Sequence, residues 1–316
     1  DAASSDYFGY SVSISGDYAV VGAYYDDDGG SSSGSAYVFD FTEPSGGWNG
    51  GGEDEVAPTI TGVAVASDNG TIAVTMSEAV YNTDGGSGAL EASDFAFSIS
   101  GGTASLSSAT PSSISASGNV YTLGIGLSGT PNGSETLTVN PASSAIYDAA
   151  GNVASTSQSN NTAALNDKTA PTITGVAVAS DNGTIAVTMS EAVYNTDGGS
   201  GALEASDFAF SISGGTASLS SATPSSISAS GNVYTLGIGL SGTPNGSETL
   251  TVNPASSAIY DAAGNVASTS QSNNTAALND KTAPTITGVA VASDNGTIAV
   301  TMSEAVYNTN GGSGAL

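Results

Sequence analysis

The side chains this sequence offers to chemistry are almost all oxygen donors. Its 316 residues hold 29 Asp and Glu against two basic residues, Lys168 and Lys281, with no His, Cys or Arg, for a formal net charge of −27. Without His or Cys there is no Ser-His-Asp or Cys-His nucleophile and no zinc site of the usual kind. Two lysines cannot neutralise a nucleic-acid backbone, and the net charge is repelled by anionic lipid. What remains is carboxylate, amide, hydroxyl and backbone oxygen, the ligand set of a hard cation such as Ca²⁺. Paired carboxylates also serve glycosidases. That chemistry needs a cleft and unlike surroundings for its two acids, which small duplicated domains do not offer, so the chain reads as non-catalytic.

Whether the acids converge depends on the elements that carry them. Residues 57–169 recur as 170–282 without a change, and a third copy runs from Ala283 to Leu316 with one difference, Asn310 in place of Asp84 and Asp197. The period of 113 residues is too long for a helical solenoid unit and fits a self-contained β domain. The division is therefore 1–45, a linker at 46–56, two full copies at 57–169 and 170–282, and a partial copy at 283–316.

Within a copy the apolar period is two. Thr59 to Val65 predicts a first strand. Ile72, Val74 and Met76 alternate with polar or small neighbours, as do Phe95, Phe97 and Ile99, then Tyr121, Leu123, Ile125 and Leu127, then Leu137 and Val139. Weaker runs lie near Leu106, Ile114 and Val153, and Leu90 to Asp94 predicts one short turn. Asp68-Asn69-Gly70 reads as a tight hairpin turn, since Asn-Gly accepts positive φ at low cost. The fold class is all-β, with about seven short strands per copy, a β-sandwich.

That topology brings loops together. If the first strand runs away from the incoming linker, the second runs back and ends at Ser77-Glu78 beside it, at the same pole as the loops carrying Asp84 and Asp148-Asn152. The sets expected to meet are Asp54 or Glu55 with Glu78, Asp84 and Asp148, and Asp167 with Glu191, Asp197 and Asp261. In the partial copy Asp280 and Glu304 are the counterparts, and Asn310 predicts a weaker third site. Carboxylates held this close repel one another unless a cation sits among them. The other reading, solvated loop acids that keep the chain soluble, stays open.

Each full copy resembles a bacterial immunoglobulin-like domain of large surface proteins. The resemblance rests on Ala57-Pro58-Thr59-Ile60, Met76-Ser77-Glu78-Ala79-Val80, Ala92-Ser93-Asp94-Phe95 and Asp148-Ala149-Ala150-Gly151-Asn152, in that order and spacing. It implies tandem immunoglobulin-like sandwiches and calcium-stiffened joints.

The first segment differs. Asp6-Tyr7-Phe8-Gly9-Tyr10-Ser11-Val12-Ser13-Ile14-Ser15-Gly16, then Tyr18-Ala19-Val20-Val21-Gly22-Ala23 and Ser35-Ala36-Tyr37-Val38-Phe39, resembles one FG-GAP repeat, the blade of integrin-type β-propellers, with Tyr24 where the motif has Pro. Such blades often carry a calcium loop, which Asp26-Asp27-Asp28 matches loosely; Asp26 and Asp28 are the candidate ligands.

The functional expectation is an extracellular structural or adhesive segment of a large bacterial or archaeal surface or matrix protein. Its expected partners are further copies of itself, neighbouring surface proteins or glycans, with no nucleic acid and no membrane insertion. The alternative is a non-catalytic accessory module of a large secreted enzyme. The two apolar strands of the partial copy, without a sandwich partner in the sequence, raise a further expectation of filaments formed by strand addition.

Overall fold

The computed structural model describes residues 7–16, 18–26, 33–40, 54–310 and 312–314. Three strands, β1 (Phe8–Ser15), β2 (Tyr18–Ala23) and β3 (Ser35–Asp40), form an antiparallel meander. Its apolar side chains stay largely in solvent, with Val12, Ile14 and Val38 all exposed. Among the described residues of this segment only Ala19, Ala23 and Asp26 are buried.

The first copy contributes β4 (Ile60–Val65), β5 (Thr71–Met76), β6 (Phe95–Ser100), β7 (Ser105–Leu106), β8 (Ile114–Ser117), β9 (Val120–Gly124), β10 (Leu127–Ser128), β11 (Thr136–Pro141) and β12 (Thr162–Ala164). One sheet runs β4-β5-β9-β8 and the other β12-β11-β6, all antiparallel, with β10-β7 as a small third pair. The alternation read from the sequence decides which side chains face inward. Ile72, Val74, Met76, Tyr121 and Leu123 from one sheet meet Phe95, Phe97, Leu137 and Val139 from the other, and all are buried. Burying each large side chain contributes about 1.5–3 kcal/mol, and two inner faces packed this way make a β-sandwich.

The second copy repeats the plan with β13 (Ile173–Val178), β14 (Thr184–Met189), β15 (Phe208–Ser213), β16 (Ser218–Leu219), β17 (Ile227–Ser230), β18 (Val233–Gly237), β19 (Leu240–Ser241), β20 (Thr249–Pro254) and β21 (Thr275–Ala277). Its core is separate: Leu165 closes the first and Ile173 opens the second. The partial copy supplies a lone hairpin, β22 (Ile286–Val291) and β23 (Ile298–Met302). Among the described residues the only helical turns are Ala92–Asp94 and Ala205–Asp207, each starting within the predicted short turn. No helix of the described residues is long and apolar enough to cross a membrane.

The predicted hairpin turn forms, with Asn69 at φ 60° and Asp68 Oδ1 accepting from Gly70 N at 2.8 Å. Three details differ from the pattern. Tyr121 to Leu127 is not one strand. The chain leaves the large sheet after Gly124, Ile125 N turns to Gly70 O, and Leu127 joins β7. Gly124 permits this, because a Cβ there would stand 2.4 Å from Ser112 Oγ and 2.5 Å from Ser113 Oγ. Val153 makes a single bridge to Tyr147 rather than a strand. β12 lies in a polar stretch without strand signal. It is held as an edge by Asn161 Nδ2 donating to Val139 O at 2.8 Å and by buried Leu165.

Candidate metal centres at the joints

Each full copy gathers three carboxylates where the chain enters it. Asp54, Glu78 and Asp148 form one group and Asp167, Glu191 and Asp261 the other; in each, one oxygen per residue lies within 4.8 Å of the others. Among the described residues these are the only groups of three or more such ligands.

The positioning follows from the sandwich. Ser77 N donates to Thr59 O at 2.8 Å, and Thr59 N donates to Ser77 Oγ at 3.0 Å. This pair pins the end of β5 to the incoming chain and sets Glu78 beside it. Asp148 sits fully buried in a tight loop. Its Oδ1 accepts from Ala150 N at 2.9 Å and Asn152 N at 2.8 Å, and its Oδ2 accepts from Asn152 Nδ2 at 2.8 Å. The same Asn152 amide donates to Asp54 O at 2.5 Å, so one side chain holds loop and linker together. In the second copy Asp261 and Asn265 repeat the arrangement, with Asn265 Nδ2 reaching Asp167 O at 3.2 Å.

The electrostatics are strained. Burial pushes the Glu78 carboxyl up, and the charges of Asp54 and Asp148 add to it. Glu191 is raised in the same way, by burial and then by Asp261 and Asp167. Burial also works against the Asp148 anion, but the Asn152 side chain and the N–H groups of Asn152, Ala150 and Gly151 outweigh it and hold the group below the usual carboxylate range. One anion is thus fixed by local hydrogen bonds, and a second is placed against it at an electrostatic cost. A divalent cation would remove that cost, and carboxylate oxygens with waters suit Ca²⁺, which takes about six to eight oxygen ligands.

Not every expected ligand joins. Asp84 and Asp197 are exposed and their carboxylates lie outside the groups. Their loops do share the predicted pole, but they dock by backbone. A Cβ on Gly151 would lie 2.8 Å from Asp84 O, and one on Gly86 3.0 Å from Ala149 O. With the glycine side turned inward, the Asp side chain points to water. Asn310 stands where the full copies have Asp84 and Asp197, whose carboxylates lie outside the groups. Glu55 is also exposed and outside the group. Asp280 and Glu304 line a common cavity of about 290 Å³ with Asn245, Ser247, Thr282 and Ser303, without a third carboxylate.

In the first segment Asp26 is buried. Its Oδ2 accepts from Tyr37 Oη at 2.9 Å, and its carbonyl accepts from Gly34 N at 2.9 Å and Ser33 Oγ at 3.2 Å, which ties the residues after β2 to those before β3. Asp28 lies outside the described residues, as does the linker up to residue 53.

One buried acid was not anticipated. Glu135 is fully buried at the start of β11, and its Oε1 accepts from Thr103 N at 2.6 Å and Ala104 N at 2.9 Å. Its Oε2 accepts from Asn132 N at 3.0 Å. Glu248 does the same in the second copy. An acid beside Asn-Gly-Ser reads as a surface residue; only the fold shows backbone N–H groups converging on it.

Residues 1–39 match the family model described as the FG-GAP repeat, in agreement with the resemblance read from the same residues. No curated protein and no solved structure matches the chain. The family match covers the β1–β3 meander and leaves the duplicated sandwiches to be read from their own geometry.

Proposed function

We propose that this chain is a non-catalytic, extracellular structural or adhesive segment whose immunoglobulin-like copies are stiffened by Ca²⁺ at the joints. The observation that carries the reading is the repeated carboxylate triad, once at the entry of each full copy and each time including a residue of the incoming linker. A ligand set shared between linker and domain ties a cation to interdomain orientation, which is what a spacer needs and an isolated globular domain does not. The FG-GAP repeat at the front supports an adhesive, extracellular setting.

Adding millimolar Ca²⁺ to EDTA-treated protein raises the melting temperature and narrows the distribution of interdomain angles. Extracellular sites of this type bind at about 10⁻⁴ to 10⁻³ M, and a calcium concentration ten times the Kd adds about 1.4 kcal/mol per joint by mass action. Asp167→Asn removes the effect at the second joint and leaves the first. Superimposable melting and scattering curves in EDTA and calcium would overturn the reading.

The exposed apolar face of the β22–β23 hairpin supports a second reading, that chains associate through the partial copy, as far as filaments built by strand addition. Ile286, Ile298 and Val300 are all exposed there, whereas their counterparts Ile60, Ile72 and Val74 are buried in the first copy.

A further inference from the structure

The two joints share one triad but not one environment. Asp54 is exposed, whereas Asp167 is half-buried. The difference lies in what precedes each. A complete sandwich stands before Asp167, and no copy of the repeat stands before Asp54.

The linker 166–169 is fastened to the end of the first copy at three places. Asn166 N donates to Asn69 Oδ1, and Asn69 Nδ2 donates to Asn166 O, both at 2.8 Å. Lys168 N and Thr169 Oγ1 both donate to Pro131 O at 2.9 Å. Gly133, at φ +78°, lies so close to Asp167 that a Cβ would come within 3.2 Å of the Asp167 Cβ. Two of these three fastenings are to the loop 130–134. That loop is in turn held by Glu135, whose buried carboxylate binds Asn132 N on one side and Thr103 N and Ala104 N on the other. Thr103 Oγ1 adds a bond to Thr130 O at 2.8 Å. Asn132 of the same loop reaches the joint itself, lining a cavity of about 280 Å³ together with Asp167, Thr169, Thr172, Ser190 and Glu191.

We propose that Glu135 is a positioning residue for the second joint: by fixing the loop 130–134 in the first copy it presets Asp167 against Glu191 and Asp261 in the next, so that the first copy prepares the cation site of the second. The inference rests on the calcium reading of the triad. It makes the two joints unequal, with the Asp167 site the tighter because less of its geometry must be ordered on binding. Outer partners that orient a ligand typically change metal affinity by about 10- to 100-fold, and the lower end of that range is expected for a linker with three fastenings.

The experiment is calcium titration by calorimetry on the full chain, in Asp54→Asn to isolate the second joint and in Asp167→Asn to isolate the first, with X-ray scattering in EDTA as a readout independent of the metal. Glu135→Gln places an amide N–H₂ against Asn132 N and should weaken the second joint about tenfold, leave the first unchanged, and broaden the interdomain distribution even without calcium. Because Glu135 also stabilises the first copy, Thr169→Val is the second variant. It removes one linker bond and leaves the copy's own hydrogen bonds in place, and it should weaken the same joint in the same direction, with Thr169→Ser restoring it. If both Glu135→Gln and Thr169→Val bind at the second joint as the parent does, the positioning role is wrong while the calcium reading stands. If the unsubstituted chain takes up no calcium at either joint, the reading fails and this inference falls with it.

Discussion

Glu248→Ala should split the melting transition of the chain in two. The two full copies have one sequence and equivalent cores, so in the parent they should unfold over nearly the same temperature range. Removing the Glu248 carboxylate leaves the backbone N–H groups of Thr216, Ala217 and Asn245 without their acceptor inside the second copy alone. The Ala217 bond is buried and the other two are part-buried; at about 1–3 kcal/mol for a buried donor left unpaired, and less where water can reach, a total loss of about 3 kcal/mol is expected. For a domain of this size that lowers the melting temperature by roughly 10–15 °C, enough to resolve two calorimetric peaks. The effect should also depend on pH. Burial pushes the Glu248 carboxyl up, but the N–H groups of Ala217, Thr216 and Asn245 outweigh burial and hold it at about 2. A carboxyl whose folded pKa lies below its unfolded value stabilises the fold above the unfolded pKa and loses that contribution as pH falls through the folded one. In the variant the acid left to titrate is Glu135 of the first copy, where burial again works against the anion but the N–H groups of Ala104, Thr103 and Asn132 outweigh it and hold the carboxyl below the usual carboxylate range; the gap between the two peaks should therefore be full at pH 7 and shrink as pH falls below the ordinary Glu range near pH 4.5. A single transition in the variant, or a gap unchanged across this window, would show that Glu248 is not the acceptor the fold depends on.

Much of this architecture was legible in the sequence because it is written in period two. The inward set Ile72, Val74 and Met76, the turn at Asn69 and the inner faces of β6 and β11 follow from alternation and turn chemistry alone. The convergence of Glu78, Asp148 and the linker acid was legible too, since it needs only the strand order and the direction of two strands. Three features were not. Strand breaks at Gly124 depend on Ser112 and Ser113 arriving from elsewhere. The orientation of Asp84 depends on which side of a glycine-rich loop docks, and alternation does not govern loops. Glu135 has no local signature, because the three donors it binds come from two loops about thirty residues apart in sequence. Sequence patterns report which face of a strand is inside; they do not report which backbone N–H groups a fold leaves unpaired until an acid fills the gap.

Removing residues 283–316 should abolish concentration-dependent association of the chain. The β22–β23 hairpin has the same strand sequences as the hairpins of both full copies, yet Ile286 is 61% exposed, Ile298 63% and Val300 52%, against 1% or less for Ile60, Ile72 and Val74. Apolar area left in water costs roughly 25 cal/mol per Å², so a face of this kind favours any arrangement that covers it. Exchange into the sandwich of another chain does not, because seating one hairpin ejects an identical resident. Residues 57–310 carry three such hairpins and two complete cores, so exchange within this segment moves the exposed face without reducing it. Packing two β22–β23 faces against each other covers both. The charge of −27 on each chain opposes such a contact, so the dimer should be weak. Raising salt beyond about 0.1 M, where the Debye length drops to about 10 Å, should strengthen association, the reverse of what a charge-driven contact would show. Sedimentation of the full chain should reveal a salt-favoured dimer that the form ending at Thr282 lacks. Fibres from the full chain that are absent from the shortened one would favour strand addition over face-to-face pairing. If the shortened chain associates as strongly as the full one, the hairpin is not the contact in either form.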